Sequence, residues 1–321
     1  HYENTNFYSY PSSNSKKVYW HINGWRQAVH YFPRTKFYFW GFNKPGVEEY
    51  GLEIEKKWNR VYGRTSTHTF SGGFYAQPNY DSLRAISLGY NPNGRLAVGY
   101  LDWSSNIGAV DLNLNAASTL GGYSTWNFHR LTALSTFKSK KIYGVRTFQR
   151  LIAGKIWSND QIQIPGQEGY NIEGNSSNDL LRKNYLVDQF YGSFNLFNHY
   201  HMPGEGNIRG FVNSSQRGAD AMVSSSTEFV ADKGLFENRL NISFAIFADA
   251  GIFWDKAAYH PWYPNRVFDR YLGNVGFGTR LNTKLFEKEL FLRFDVPAYI
   301  FNDGNSEINF HNWIFSFQRS I

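Results

Sequence analysis

Asn207-Ile-Arg-Gly-Phe211 lies inside a long polar segment, 158–218, with dense strand-like patterning before it and five alternating segments after it. Arg-Gly between a β-branched and an aromatic residue also suits an ordinary turn, so the letters alone decide little. Their place in the chain decides more. Downstream follow Ser226-Thr-Glu228-Phe, Phe247-Ala-Asp249-Ala-Gly251, Gly276-Phe-Gly278-Thr-Arg280 and Arg293-Phe-Asp295-Val-Pro297, and an aromatic segment ends the chain at Ile321. Each alternates apolar with polar residues, the period of a strand with two unlike faces. From 240 onward, Leu240, Ile242, Phe244, Ile246 and Ala248 share one face, and Asn241, Ser243, Ala245, Phe247 and Asp249 share the other. Val275, Phe277, Thr279 and Leu281 likewise oppose Asn274, Gly276, Gly278 and Arg280, and Leu292, Phe294 and Val296 oppose Arg293 and Asp295. Alternation of this kind also occurs in a soluble sandwich, whose polar face meets water.

Composition narrows the choice. Aromatic residues make up 19% of the 321 and charged residues 18%, an excess of Tyr, Phe and Trp over what a soluble core needs. Aromatic girdles at two membrane interfaces account for it. No uninterrupted apolar run reaches the ~18 residues a spanning helix requires, which excludes a helical membrane protein. With no Cys there is neither a disulfide framework nor a thiolate metal site. The formal charge of +7 is carried by basic residues scattered among the strand-like segments, which points to an anionic surface or a polar lumen rather than nucleic acid. No charged-then-apolar leader follows His1.

Along the chain, 1–17 is Ser/Asn-rich and reads as a loop or surface strap. Strands are predicted over 18–25, 36–43, 48–58, 66–76, 83–90, 95–103, 107–117, 123–138 and 141–157, the last two joined by a tight turn at Ser139-Lys140. After the long loop come 219–230, 240–254, 271–284, 287–300 and 308–321. That is about fourteen strands and no helix, several of them as long as a tilted membrane crossing demands.

The ordered motifs from 207 onward resemble the C-terminal barrel of the bacterial surface antigen superfamily, the outer-membrane barrels that include BamA-like barrel-assembly insertases and two-partner secretion transporters. The resemblance covers 143–321. It implies an all-β fold, a transmembrane antiparallel β-barrel of sixteen strands in the cell outer membrane, with 1–321 as one barrel domain; against that number two N-terminal strands are missing, hidden in 1–17 or replaced by a smaller barrel. Periplasmic repeats or a passenger domain stand upstream in that superfamily, and neither is expected within this chain. The resemblance also implies that the loop bearing Ile208, Arg209, Gly210 and Phe211 folds into the barrel, where Arg209 meets acidic wall residues at Glu228 and Asp249. Gly276, Gly278 and Arg280 match the next strand's motif, and Arg293 with Asp295 the one after. The final strand departs from the insertases, which tend to carry a kinking Gly there; 311–321 has none.

The residues themselves fit that role. A guanidinium is a planar fork able to bridge two carboxylates, which an ammonium cannot do with fixed geometry. A solvated loop Arg beside two unrelated wall charges remains the alternative at this level, and lumen packing or a cross-strand ion pair the alternative for 276–295. Enzyme readings are weak. His199-Tyr-His201 is the one close His pair, without a third ligand nearby, and no Gly-x-Ser-x-Gly, phosphate loop or His-Glu-x-x-His occurs. The mixed basic and aromatic run 16–26 suits an interfacial strand better than nucleic-acid stacking. The expectation is a non-enzymatic barrel without metal or cofactor that assists insertion or translocation of polypeptide, or anchors and exports an upstream domain. Its expected partners are outer-membrane lipid including lipopolysaccharide, a client polypeptide or fused domain, and an envelope protein complex. A solute channel constricted by the long loop is the alternative, and a soluble β-sandwich a distant third.

Overall fold

The computed structural model describes residues 5–9, 18–28, 35–44, 47–62, 64–78, 94–158, 168–171, 205–211, 217–236, 240–255, 268–285 and 288–319. Among them the chain is all-β and antiparallel, as expected, with seventeen strands and no helix. No described helix is long and apolar enough to cross a membrane. Two compact units emerge, 1–133 with 155–166 and 134–154 with 167–321.

The first unit is a meander of β1 (Thr5–Ser9), β2 (Val18–Ala28), β3 (Thr35–Lys44), β4 (Val47–Tyr62), β5 (Arg64–Gln77), β6 (Leu96–Ile107) and β7 (Val110–Thr119), each paired with its chain neighbour. It also takes the start of β8 (Phe128–Lys138) and the end of β9 (Val145–Ser158). The β6–β7 turn closes at the pair Ile107 and Val110, with Gly108 in the left-handed region (φ 66°) that a two-residue hairpin turn demands.

Residues paired across strands share a face, so the register sorts side chains without further assumption. Phe37, Ile54, Gly72, Leu101 and Ala116 form one row. It lies between the rows Phe39–Leu52–Phe74 and Phe70–Trp103–Leu114, and the large apolar members of these three rows other than Trp103 are exposed. The opposite face carries Lys36–Glu55–Ser71–Asp102–Asn115 and Tyr38–Glu53–Gly73–Tyr100. There Tyr100 Oη donates to Glu53 (2.5 Å), Asn115 Nδ2 to Asp102 (2.6 Å), and Gln77 Nε2 and Trp40 Nε1 to opposite oxygens of buried Glu49 (2.7 Å each). The polar face is thus the hydrogen-bonded one and the apolar face the exposed one, the reverse of a soluble sheet. Near the end of the apolar face, Trp58, His68 and Trp103 stack at centroid spacings of 5.6 and 6.3 Å.

The second unit takes the rest of the β8–β9 hairpin, the small pair β10 (Tyr170–Asn171) and β11 (Arg217–Ala219), and the long strands β12 (Ala221–Phe236), β13 (Leu240–Asp255), β14 (Phe268–Leu285) and β15 (Lys288–Asn302). β9 neighbours β12. β16 (Asn305–Ile308) and β17 (Ile314–Arg319) then pair with different halves of β15. The expected parity holds in the middle of these strands: Phe244, Ile246, Val275, Phe277 and Phe294 are exposed, while Ser243, Phe247, Asp249, Asn274, Arg280 and Asp295 are buried.

Three sequence-level expectations need correction. Part of 1–17, read as a loop or surface strap but also as one place for a missing strand, is β1: Thr5–Ser9 pairs in register with Val18–Ile22, because Thr and Tyr there supply strand propensity that the Ser/Asn-rich surroundings mask. The last strand, expected over 308–321, is only β17 within those bounds; β16 ends at Ile308, and 309–313 between the two is irregular. Asp303 (φ 47°) and Gly304 (φ 88°) turn the chain back after β15, and β17 covers only Leu290–Asp295 of its partner. The β8–β9 turn lies at Tyr143-Gly144, not at Ser139-Lys140. The predicted strand over 83–90 and the pair His199 and His201 lie outside the described residues.

Candidate functional site

Within the second unit, residues 205–211 lie against the polar face of the sheet and are almost wholly buried. The segment reaches that face by two left-handed residues, Asn207 (φ 53°) and Gly210 (φ 89°). Asn tolerates this conformation through local hydrogen bonding. Here its Nδ2 donates to Ser226 Oγ (3.0 Å), and that hydroxyl in turn donates to the Asn207 carbonyl (3.3 Å). Gly210 has a second reason to lack a side chain, since a Cβ would stand 2.7 Å from Pro297 Cγ on β15. Ile208, fully buried, rests where Gly251 leaves room on β13. Ile208 rather than half-buried Phe211 is therefore the apolar anchor of the motif.

Arg209, 1% exposed, uses every face of its guanidinium. Nε and Nη2 donate to the two oxygens of Asp249 at 2.7 Å each, a bidentate pair reinforced by the Arg209 backbone N–H at 3.2 Å. Nη1 donates to both Glu228 and Asp295 at 3.1 Å. The guanidinium carbon lies 3.5 Å from the centre of the Phe247 ring, a desolvated cation–π contact. Burial alone would lower the Arg209 pKa; Asp249, Asp295 and Glu228 together outweigh it and hold the group above its usual value.

Arg280 and Arg293, directly opposite each other on β14 and β15, complete the cluster. Like charges placed so repel, and the two acids between them resolve the conflict. Arg280 donates to Glu228 (2.7 Å) and Asp295 (2.5 Å), and Arg293 donates to Asp295 (2.6 Å) and Glu228 (2.9 Å). Three guanidiniums thus meet three carboxylates, and the buried group is neutral as a whole. Asn274 Nδ2 ties the Arg209 carbonyl (2.7 Å) to Asp249 (3.0 Å), and Asn312, just before β17, donates to the Gly210 carbonyl at 2.7 Å. At the other end Arg150 on β9 donates to the Glu205 carbonyl. The segment is held from β9, β12, β13, β14, β15 and the approach to β17.

Every candidate named in the sequence from Ile208 to Asp295 joins this region. The expected pairing of Arg209 with Glu228 and Asp249 is present, and Asp295, expected only in a strand motif with Arg293, is a third partner. Arg150, Phe247, Asn274 and Asn312 were missed. For Phe247 and Asn274 the shared face with Asp249 and Arg280 was the available signal; for Arg150 and Asn312 none existed. Among the described residues no cluster of His, Asp and Glu could hold a metal ion.

The glycines of β14 make the floor. A Cβ on Gly276 would meet the Phe247 ring at 2.5 Å, and one on Gly278 would stand 2.1 Å from Asp295 Oδ1 and 2.5 Å from the Phe294 carbonyl. Neither Asp295 nor that backbone can withdraw without breaking the cluster or the ladder. Gly278→Ala is therefore expected to cost ~1–3 kcal/mol, the usual range for overpacking. Gly99→Ala, where the nearest atom is 3.5 Å away, should be close to neutral. Denaturant unfolding of the two variants side by side checks this, and equal midpoints would contradict the packing described.

No family model matches the chain, and no curated protein matches it. Among solved structures it is similar to BamA from Haemophilus ducreyi lacking POTRA domains 1-3, at 11% identity and a TM-score of 0.49 over 99% of this chain and 75% of that one.

Proposed function

We propose that the chain is an outer-membrane β-barrel that assists insertion or translocation of polypeptide, or anchors and exports an upstream domain, with residues 205–211 as an inward-folded structural latch. The observation that carries the membrane reading is the inverted sheet of the first unit. Its exposed face is apolar over three successive rows and ends in the Trp58–His68–Trp103 stack, while its polar face is internally hydrogen-bonded. Hydrocarbon is the solvent in which such a face is stable, and aromatic residues suit its boundary.

In the second unit the connections alternate in length. Three residues join β12 to β13 and two join β14 to β15, whereas twelve separate β13 from β14 and the motif segment lies in the 62 between β9 and β12. Outer-membrane barrels have short periplasmic turns and longer external loops. In this reading the motif loop enters from the outside, and the buried, neutral cluster favours a fixed strut over a mobile pore constriction.

Such a chain extracts from membranes only with detergent, and its unheated band on a denaturing gel migrates differently from the boiled one, because a closed barrel pairs every backbone group. Recovery of a compact monomer without detergent would remove the membrane reading. Assembly or export of a client is then compared with passive leak in the Arg209→Ala variant. Loss of assembly or export with unchanged leak supports the polypeptide reading, and a conductance change alone supports the solute channel.

A further inference from the structure

The positive charge is less scattered than the sequence reading had it. The β8–β9 hairpin, residues 128–158, holds seven Lys and Arg and no Asp or Glu, an excess equal to the +7 of the whole chain (33 basic less 26 acidic). Four of the seven, Lys138, Lys140, Lys141 and Arg146, flank its tip. The tip is also irregular. Ile142 and Val145 exchange backbone hydrogen bonds of 2.9 Å around Tyr143-Gly144, while Ser139 N donates to Thr147 O at 2.9 Å. Three steps from Ser139 to Ile142 thus oppose two from Val145 to Thr147, a bulge at Lys140-Lys141 that leaves both lysines exposed.

Tyr143 occupies the left-handed region (φ 49°), ahead of Gly144 (φ 83°). Asn, Asp or Gly ordinarily fills such a turn position, and an aromatic residue there is strained. Nothing within the described residues repays this strain: Tyr143 is 102% exposed and Ile142 62%. Pairing with Val145 puts Ile142 on the face of Leu151, the exposed face of the hairpin. Apolar tip residues on that face, ringed by cations and free of acids, match a layer that is apolar on one side and anionic on the other.

We infer that the β8–β9 tip docks into the headgroup layer of the bilayer and selects anionic phospholipid, with Tyr143 and Ile142 entering the boundary and Lys140 and Lys141 meeting the phosphates. This rests on the membrane reading above. Its placement beyond the last exposed apolar residue of β8 fits. Phe137, exposed on β8, lies two residues before Ser139, and Ser139 meets Thr147 two residues from Val145; two residues along a strand span about 6.7 Å, so the Ile142–Val145 row lies about 13 Å past Phe137. A tilt of about 45° reduces that to about 9 Å of depth, the order of the headgroup zone that flanks a hydrocarbon core. A six-residue connection at 139–144 also groups this tip with the short turns of the second unit rather than with its long loops.

The chain has no Cys, so a dye on Tyr143→Cys is unique, as is a reference dye on Phe244→Cys in the exposed face of β13. Both proteins are reconstituted in phosphatidylcholine vesicles with or without phosphatidylglycerol. The reference dye should report hydrocarbon in both. The tip dye should shift to the blue and lose accessibility to aqueous iodide only with phosphatidylglycerol. That effect should fade at high salt, which screens exposed charges, and in Lys140→Gln/Lys141→Gln. A tip dye that stays aqueous with phosphatidylglycerol while the reference is in hydrocarbon overturns the inference alone, and leaves the tip to an acidic protein surface. A tip dye shielded equally in both vesicles overturns the selectivity for anionic lipid. If both dyes are aqueous, the membrane reading fails and the inference with it.

Discussion

Leu101→Arg is expected to cost ~2–4 kcal/mol of folding stability in bilayers, the penalty for a cation near the midplane on the lipid face of a barrel. Leu101 is half exposed (54%) and sits in the central one of three apolar rows, so neither end of β6 offers a short path by which an Arg could snorkel to water. Ser104→Arg, three residues along the same strand, supplies the contrast. Ser104 faces the polar side, between Thr69 and Asn113 and two residues from Asp102, where a new cation finds hydrogen-bonding neighbours and an acid. Its change should stay within the ~0.5 kcal/mol typical of a substitution away from any special feature. Folding into vesicles followed against urea gives both numbers. Penalties of similar size would mean that the two faces meet the same solvent, and the soluble sandwich would return.

That the two faces could be assigned at all before the structure follows from the exactness of the strand period. A one-residue slip moves every side chain to the other face, so Phe244 against Ser243, or Phe277 against Arg280, reads out directly once the strand is recognised. What failed was recognition where composition and conformation disagree. Thr5–Ser9 sits in Ser/Asn-rich surroundings that resemble a loop, and the end of the chain keeps strand-like letters through 309–313, where the Asn309 side chain accepts the His311 backbone N–H and the strand is interrupted. The site shows the same division. Arg209 with Asp249 was legible through the ordered motifs and the resemblance they carry, with the strand parity of Asp249 agreeing. Arg293 and Asp295 were legible as a strand motif, with an ion pair as the alternative; that pair is present, but their further partners, Glu228 and Arg280, come from strands whose register no sequence separation reveals. The bulge at Lys140-Lys141 displaced the expected hairpin turn for a related reason, since an extra residue leaves alternation intact on either side of it.

Arg209→Ala should release the 205–211 segment while leaving the surrounding strands folded. Its removal does not strand all three acids equally: Glu228 and Asp295 keep Arg280 and Arg293, whereas Asp249 keeps no cation, only the amide of Asn274 and the backbone N–H of residue 209. A buried carboxylate left without its cation costs ~3–5 kcal/mol, toward the low end where water can enter. Opening the loop, which admits that water, is the cheapest relief. The expected result of limited proteolysis is therefore new cleavage within 158–218 against an unchanged pattern elsewhere. Lys at 209 should protect only in part, because an ammonium cannot give Asp249 the side-on pair and still reach Glu228 and Asp295. Arg209→Ala combined with Asp249→Ala separates the two consequences. Removing both partners abolishes the orphaned charge, so global stability should recover much of the loss, while the loop, having lost its anchor, should stay open to protease. Recovery of both together would mean that Arg209 serves only to neutralise Asp249. An unchanged cleavage pattern in Arg209→Ala alone would show that Ile208, Asn207 and Asn312 suffice to hold the segment, and the latch assigned to the three-arginine, three-acid cluster would fall.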